Sequence, residues 1–223
     1  MQDTLELREF ICDIGRRAWQ KGMGAANDGN FSVLLDDNTV LCTPTAVSKG
    51  FMTPDMICRI DRAGNSVDDG KWKPSTETRM HLCVYDHRPD VRAVVHAHPL
   101  YATVHAICGR PITQQIMPES TMFLGEVPLS PYALPSSEGL AKAIAPYLEK
   151  HDAILLENHG ALSCGHDLQS AWFKMEALDY YAKVIYLAAG YGGANEFSQE
   201  EVDKLIELKR TRFPSPGRHP FIP

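Results

Sequence analysis

The stretch VRAVVHAHP, residues 91–99, constrains the chain more than any other. An apolar, β-branched run closed by Pro99 is too short for a typical helix and reads as a buried strand. Residues i and i+2 of a strand share a face. His96 and His98 therefore present two imidazoles side by side, with Ala97 turned away. Two nitrogen donors on one rigid face are half of a zinc site. One histidine at a strand end is more often a hydrogen-bonded polar residue; the His-x-His pair tips the reading towards a metal. A third donor is offered by LLENHGAL, where His159 sits between an apolar strand and Gly160. That glycine lets the backbone turn close to a ligand. Three histidines with an open fourth position form a catalytic arrangement rather than a structural one.

Around this core the pattern alternates between periods. TLELREFICDIGRRAWQKG carries apolar residues at 5, 10, 11, 14, 18 and 19, which is helical spacing, and Gly22 ends it. GNFSVLLDDNTVLCTP reads as a hairpin around the turn Asp36-Asp37-Asn38. MTPDMICRID reads as a short helical turn followed by a strand, and PSTETRMHLCVYDHRPD as a helix from Pro74 that Pro89 stops. LYATVHAIC is helical and holds His105. Residues 109–135 are proline-rich, with one strand near MFLGEVPL. SSEGLAKAIAPYLEK carries a capping signature. DAILLENHGALSCG supplies one or two strands, and two helices follow, DLQSAWFKMEALDYYAKVIYLAAG and SQEEVDKLIELKRTRF. Helices mixed with strands, without strict βαβ alternation, indicate an α/β sandwich in one domain spanning residues 1–223, with a tail from about 213.

Composition excludes several classes. At 223 residues the chain can bury a core without staples. No run approaches the ~20 apolar residues of a membrane span. The charged N-terminus is not a signal peptide, so the expectation is a cytoplasmic protein with no membrane partner. The net charge of −6 leaves no electrostatic footprint for nucleic acid. The six cysteines, at 12, 42, 58, 83, 108 and 164, form no C-x-x-C pair and read as free thiols.

KPSTET adds a second chemistry. A helix beginning at Pro74 and Ser75 leaves backbone N–H groups without helical partners. With the hydroxyls of Ser75 and Thr76 they make a cradle for phosphate. Glu77 falls in the first turn, where an acid is favoured by the helix dipole in any case.

The pieces GNFSV, CTPTAVSKG, KPSTE, RPDVRAVVHAHPLYAT and LENHG occur together, in this order. At this spacing they resemble the class II aldolase/adducin family over about residues 7–190. The resemblance implies a three-layer α/β/α sandwich around a central, mainly antiparallel sheet. It also implies a homotetramer with active sites between subunits. His96, His98 and His159 match the zinc ligands, with one Zn²⁺ per subunit. Glu77 matches the catalytic acid/base, which can also ligate the resting metal. Asn30, Ser75 and Thr76 match phosphate-contacting positions. Thr45-Ala46 matches a loop that often ends in glycine, and alanine there implies a loop of different shape. Lys49 is a candidate cation for the same pocket, against the alternative of an exposed surface lysine. Tyrosine in the family's aldolases aligns with Ile116; Tyr132 or the C-terminal tail is a candidate replacement.

The activity this implies is a zinc-dependent retro-aldol cleavage of a phosphorylated sugar. The substrate class is a ketose 1-phosphate of the fuculose, ribulose or rhamnulose type, giving dihydroxyacetone phosphate and an aldehyde. Zinc serves as Lewis acid and Glu77 moves the proton. A decarboxylase of a 3-oxo-acid sugar phosphate and a methylthioribulose-1-phosphate dehydratase fit the same site. Epimerases of the family tend to carry Asp at the position of Glu77. A non-catalytic adducin-like domain is disfavoured because all three histidines and Glu77 are present. His81, four residues after Glu77, is a candidate to support it.

Overall fold

The computed structural model describes residues 1–222. The hairpin forms as the sequence predicts. Strand β1, Asn30–Leu34, pairs with β2, Val40–Cys42, across a turn in which Asn38 takes the left-handed φ of 66°. Strand β3, Cys58–Ile60, continues the sheet on the far side of β2. The apolar run becomes β4, Ala93–Ala97, which lies in the middle between β1 and β7, Gly160–Gly165. DAILLENHGALSCG is two strands, β6 (Ala153–Leu156) and β7. A short edge strand, β5 (Leu129–Ser130), joins β6 in parallel. The order is β3-β2-β1-β4-β7-β6-β5, and every pairing but the last is antiparallel.

Alternation along the strands makes the three layers. Phe31, Val33, Val95 and Ala97 face one side, where they pack with Ile11 and Ile14 of helix α1 (Leu5–Gln20). Helix α3 (Leu100–Ile107) and the long helix α6 (Leu168–Ala188) cover the same face through Ala102, Trp172 and Met175. Leu34, Val94 and Leu162 face the other side, against Met80 and Val84 of α2 (Thr78–His87) and Ile144 of α5 (Glu138–Ile144). Burying both faces of β4 stabilises by ~1.5–3 kcal/mol per large side chain. The fold is thus the expected α/β/α sandwich with a mainly antiparallel sheet.

Four local expectations are corrected. Helix α2 starts at Thr78 rather than at Pro74. Pro74 instead bridges Pro44, and the Ser75 amide donates to the Thr43 carbonyl. This extended pairing takes the backbone groups that a first helical turn would have used. The strand near MFLGEVPL is confined to the end of that stretch, where Val127 bridges Ile112 and β5 begins at Leu129. Pro118 sits at the start of a short helix, α4 (Pro118–Phe123), which absorbs Met122 and Phe123. The capping signature ahead of α5 makes no cap, because the Ser137 hydroxyl donates to the Leu134 carbonyl. In α1, Leu5 and Trp19 lie outward rather than in the core, the Trp19 ring packing at a tilt against Phe51.

After the last helix, α7 (Gln199–Arg212), the tail folds back on the body and buries His219. All six cysteines are free. Among the described residues no helix is long and apolar enough to cross a membrane.

Two fully covered histidines make stability depend on pH. Burial pushes His81 down to about 3 and His219 down to about 4. Above the unfolded value of 6.5, folded and unfolded chains are both neutral at these sites. As pH falls below 6.5 the unfolded chain takes up protons that the folded one refuses, so stability is lost over the window from 6.5 towards 4. At pH 5 the loss is about 2 kcal/mol for each of the two. Urea midpoints should therefore drop between pH 7 and 5, and His219→Gln should flatten part of that drop. Parallel curves at both pH values would refute the account.

Candidate metal centre

Register brings the site together. His96 pairs with Asn30 of β1 on one side and Leu162 of β7 on the other. The β6–β7 turn, which carries His159, therefore lies at the same end of the sheet. His98 has just left β4, and its amide donates to the Met23 carbonyl at 2.8 Å. The three rings stand with centroids 4.7–5.0 Å apart, and one nitrogen of each lies within 4.8 Å of the other two.

The hydrogen bonds choose the free nitrogens. His96 is completely buried and its Nδ1–H donates to the Ala161 carbonyl at 2.9 Å, leaving Nε2 as a lone pair. His98 turns Nδ1 to the Asp28 carboxylate at 3.4 Å, so its Nε2 also points inward. The two Nε2 atoms face each other at 3.2 Å. Burial pushes His98 and His159 down to about 4, so both are neutral donors near pH 7. Two ring nitrogens this close either share a proton or hold a cation between them. Nitrogens about 2.0–2.1 Å from a tetrahedral ion stand about 3.3 Å apart, which this pair matches. The donor set fits a borderline-soft divalent cation such as Zn²⁺.

Glu77 flanks two of the rings. Its oxygens lie 3.3 Å from His96 Nε2 and 3.4 Å from His159 Nε2. Burial works to raise the carboxyl, but the His96 contact, the His159 ring and the Asn30 amide outweigh it and hold the group well below the usual carboxylate range. Asn30 Nδ2 donates to Oε2 at 2.8 Å, while Oε1 is buried without a hydrogen-bond partner. That orphaned oxygen is poised to accept a proton or a metal. Glu77 immediately precedes α2, in a bridge-type conformation at φ −95° and ψ 6°. No hydrogen bond joins His81 to it among the described residues. Its Nδ1 meets Ser32 Oγ at 2.7 Å, bracing β1 two residues beyond Asn30.

Gly160 has a different reason from the one its sequence neighbourhood implied. The turn's left-handed residue is Asn158, at φ 54°. Gly160 is needed because a Cβ there would stand 2.6 Å from the Ala97 carbonyl oxygen and 2.7 Å from the His98 ring. Gly160→Ala should push His98 aside and weaken metal binding about 10–100-fold, as displaced supporting groups do at other sites. Competition with a fluorescent zinc chelator measures this, and unchanged affinity would refute the packing argument.

A cleft of about 190 Å³ opens beside these groups. Its walls bring Asn30, Thr45, Ala46, Lys49, Ser75 and Thr76 together with Glu77, His98 and His159. Several details differ from expectation. Asn30 gives its amide protons to Glu77, so it orients the carboxylate and has that donor engaged. Ala46 adopts φ 57°, so the loop keeps a glycine-like shape despite the Cβ, at a cost of ~1–2 kcal/mol. Lys49 is buried rather than surface-exposed, and its Nζ donates to the Asn27 and Val47 carbonyls at 3.0 and 2.7 Å. Burial lowers it to about 8. Ser75 Oγ accepts from the Glu77 amide at 3.3 Å, and Thr76 Oγ1 accepts from Ser136. Sequence reasoning passed over Asp28 and Ser136. Asp28 was detectable, two residues before Asn30 in NDGN. Ser136 was not, since its reach to Thr76 depends on how two distant loops fold. Ile116 packs half-buried against the main core, and its amide donates to the Tyr181 hydroxyl at 3.3 Å. Tyr132 is exposed, with its amide on Glu157.

The chain is similar to known proteins over most of its length. A family model for the class II aldolase and adducin N-terminal domain matches residues 9–186. The 3-oxo-tetronate 4-phosphate decarboxylase of Escherichia coli K12 is 33% identical over 189 residues, covering 81% of this chain and 86% of that protein. The L-fuculose phosphate aldolase of Methanococcus maripaludis is also 33% identical, over 183 residues, covering 82% of this chain and 97% of its own. Among solved structures, an L-fuculose 1-phosphate aldolase superposes with a TM-score of 0.85 at 28% identity, covering 93% and 98% of the two chains. The Escherichia coli protein YgbL, described as a candidate aldolase, epimerase or decarboxylase, superposes at 0.81 with 31% identity, covering 91% and 98%.

Proposed function

Given that the chain belongs to the class II aldolase and adducin family, we propose that it is a zinc-dependent lyase. It breaks a carbon–carbon bond next to a carbonyl in a phosphorylated substrate. His96, His98 and His159 hold one Zn²⁺ per subunit, with Glu77 as a further ligand in the resting state. The metal supplies a Lewis-acid sink for the electron pair that the broken bond releases. Ser75, Thr76 and the Thr45-Ala46 loop hold the phosphate, and Lys49 stiffens that wall through its two carbonyl contacts. The remote phosphate supplies binding energy that orients the reacting carbons.

The observation that carries the choice of reaction is Glu77, the one carboxylate beside the facing histidine nitrogens with an orphaned oxygen. Decarboxylation of a 3-oxo acid needs a single proton transfer. The C1–C2 bond breaks, CO₂ leaves, the electron pair enters the C2–C3–O system, and C2 takes up one proton drawn from solvent and relayed through the Glu77 carboxylate. From 3-oxo-tetronate 4-phosphate the product is dihydroxyacetone phosphate. Retro-aldol cleavage of a ketose 1-phosphate gives the same phosphate product but needs a second group, to take the proton from the hydroxyl of the departing carbon. Ile116, tucked into the core, supplies none, and Asp28 is engaged with His98. Decarboxylation is therefore the first reading. Retro-aldol cleavage is the second, supported by the equal identity to a fuculose phosphate aldolase, with Tyr132 as the candidate second group.

Incubation with 3-oxo-acid phosphates and with ketose 1-phosphates separates the two. The expected result is CO₂ and dihydroxyacetone phosphate in equal amounts from the former, abolished by chelator. Aldehyde release from the latter without CO₂ production would establish the second reading. No turnover of either, with metal bound, would leave an adducin-like binding role. Assembly as a homotetramer follows the same family resemblance, and light scattering tests the stoichiometry.

A further inference from the structure

At the opposite end of the sheet from the histidines lies a second cavity, of about 200 Å³. It opens where β6 begins and β7 ends, roughly 15 Å from the metal centre at strand rise. One wall is the body of the fold, with Asp152 and Lys174; the other is the folded-back tail, residues 214–219.

The charges around it do not balance. Asp152 accepts from Arg88 Nη2 and Lys174 Nζ, each at 2.6 Å, and Asp90 takes the other side of the Arg88 guanidinium. Those two cations and two carboxylates cancel. Arg210 is paired with Glu207 at 2.9 Å. Lys209 and Arg218 remain. Among the described residues, neither side chain meets a carboxylate. Lys209 is only 7% exposed, and its Nζ has a neutral hydrogen-bond partner, Ser215 Oγ at 2.9 Å, and the Phe123 ring at 5.1 Å. A buried ammonium with no carboxylate in contact is costly. Lys174 close by adds to the cost. The tail is nevertheless built to reach this spot. The Arg218 amide donates to Asp152 at 3.0 Å, and Gly217 takes φ 121°, where a Cβ would stand 2.1 Å from the Asp152 carboxylate.

We propose that this cavity binds a phosphate-type oxyanion, either inorganic phosphate or the phosphate of a small metabolite, between Lys209 and Arg218, and that the bound anion fastens the C-terminal tail. An anion of two negative charges neutralises the two unmatched cations, and charge-assisted bonds from ammonium and guanidinium are the strong kind. The volume holds about six waters' worth of space, enough for one such group. This site is independent of the reaction assigned to the metal centre.

Hydrogen exchange of the tail amides in the full-length protein tests it, with inorganic phosphate titrated against chloride at constant ionic strength. At phosphate ten times its dissociation constant, exchange over the tail should slow about tenfold. The protection should persist in the double variant Ser75→Ala, Thr76→Ala and vanish in Lys209→Met and in Arg218→Gln. Arg218 is exposed, so its variant folds whatever Lys209→Met does. A parallel titration with 2-phosphoglycolate shows whether the free or the esterified anion is preferred. Absence of protection in the unmodified protein would overturn the proposal. So would protection that survives Arg218→Gln, or that is lost in the Ser75, Thr76 variant instead.

Discussion

Glu77→Gln should lower turnover by about 10²–10⁴-fold, the usual contribution of a positioned acid/base group. The amide is nearly isosteric and its oxygen can still accept from Asn30 Nδ2, which now donates to Oε2 at 2.8 Å. The cleft should therefore keep its shape. What disappears is a group able to carry a proton. If Glu77 only lent its charge to the metal, the variant would lose zinc and activity together. If it moves the proton, zinc content stays near one per chain, KM changes little and kcat collapses. Measuring metal content alongside kcat separates the two. A variant retaining more than a tenth of the activity would remove Glu77 from the mechanism.

Metal removal should act on stability as well as on activity. A cation that binds only the folded chain stabilises it by about 2.7 kcal/mol at a hundred times its dissociation constant. For a chain of this size that is about 5–11 °C in melting temperature. Chelation should lower the melting temperature by that amount and abolish turnover, with Zn²⁺ restoring both. His98→Ala is the cleanest genetic counterpart. His98 is partly exposed, and unlike His96 its ring serves no backbone carbonyl, so its removal leaves no buried acceptor unpaired. The variant should fold, hold much less metal and show no zinc-dependent shift. A full shift in His98→Ala would mean that the cation sits elsewhere.

How much of this was legible from residues alone differs from place to place. The strand of His96 and His98 was readable because its signal is local. Its period, the proline that closes it and the shared face of i and i+2 all lie within residues 91–99. Helix α1 was readable for the same reason, except at Leu5 and Trp19, whose outward placement depends on what packs beside the helix ends. Helix α2 was misjudged at its start because Pro74 and Ser75 pair with a segment some thirty residues earlier. Lys49 could not be placed from its own neighbourhood, since burial of an ammonium against Asn27 and Val47 is decided by the loop that folds over it. Ala46 shows the same limit from the other side. An alanine argues against left-handed backbone, yet the surrounding loop imposes it.

The amino-acid pattern by itself determined the elements, the alternating faces of β4 and the inventory of groups able to hold a cation and move a proton. These follow from periodicity and side-chain chemistry, which act over a few residues. Tertiary structure alone decided that His159 meets His96 across a sheet register, that Asn30 grips Glu77, and that Lys209 of α7 and Arg218 of the tail flank one cavity with no carboxylate partner among the described residues. Those relations join residues tens of positions apart. They are set by which strands pair and which faces must be buried, and only the packed whole chooses among the alternatives.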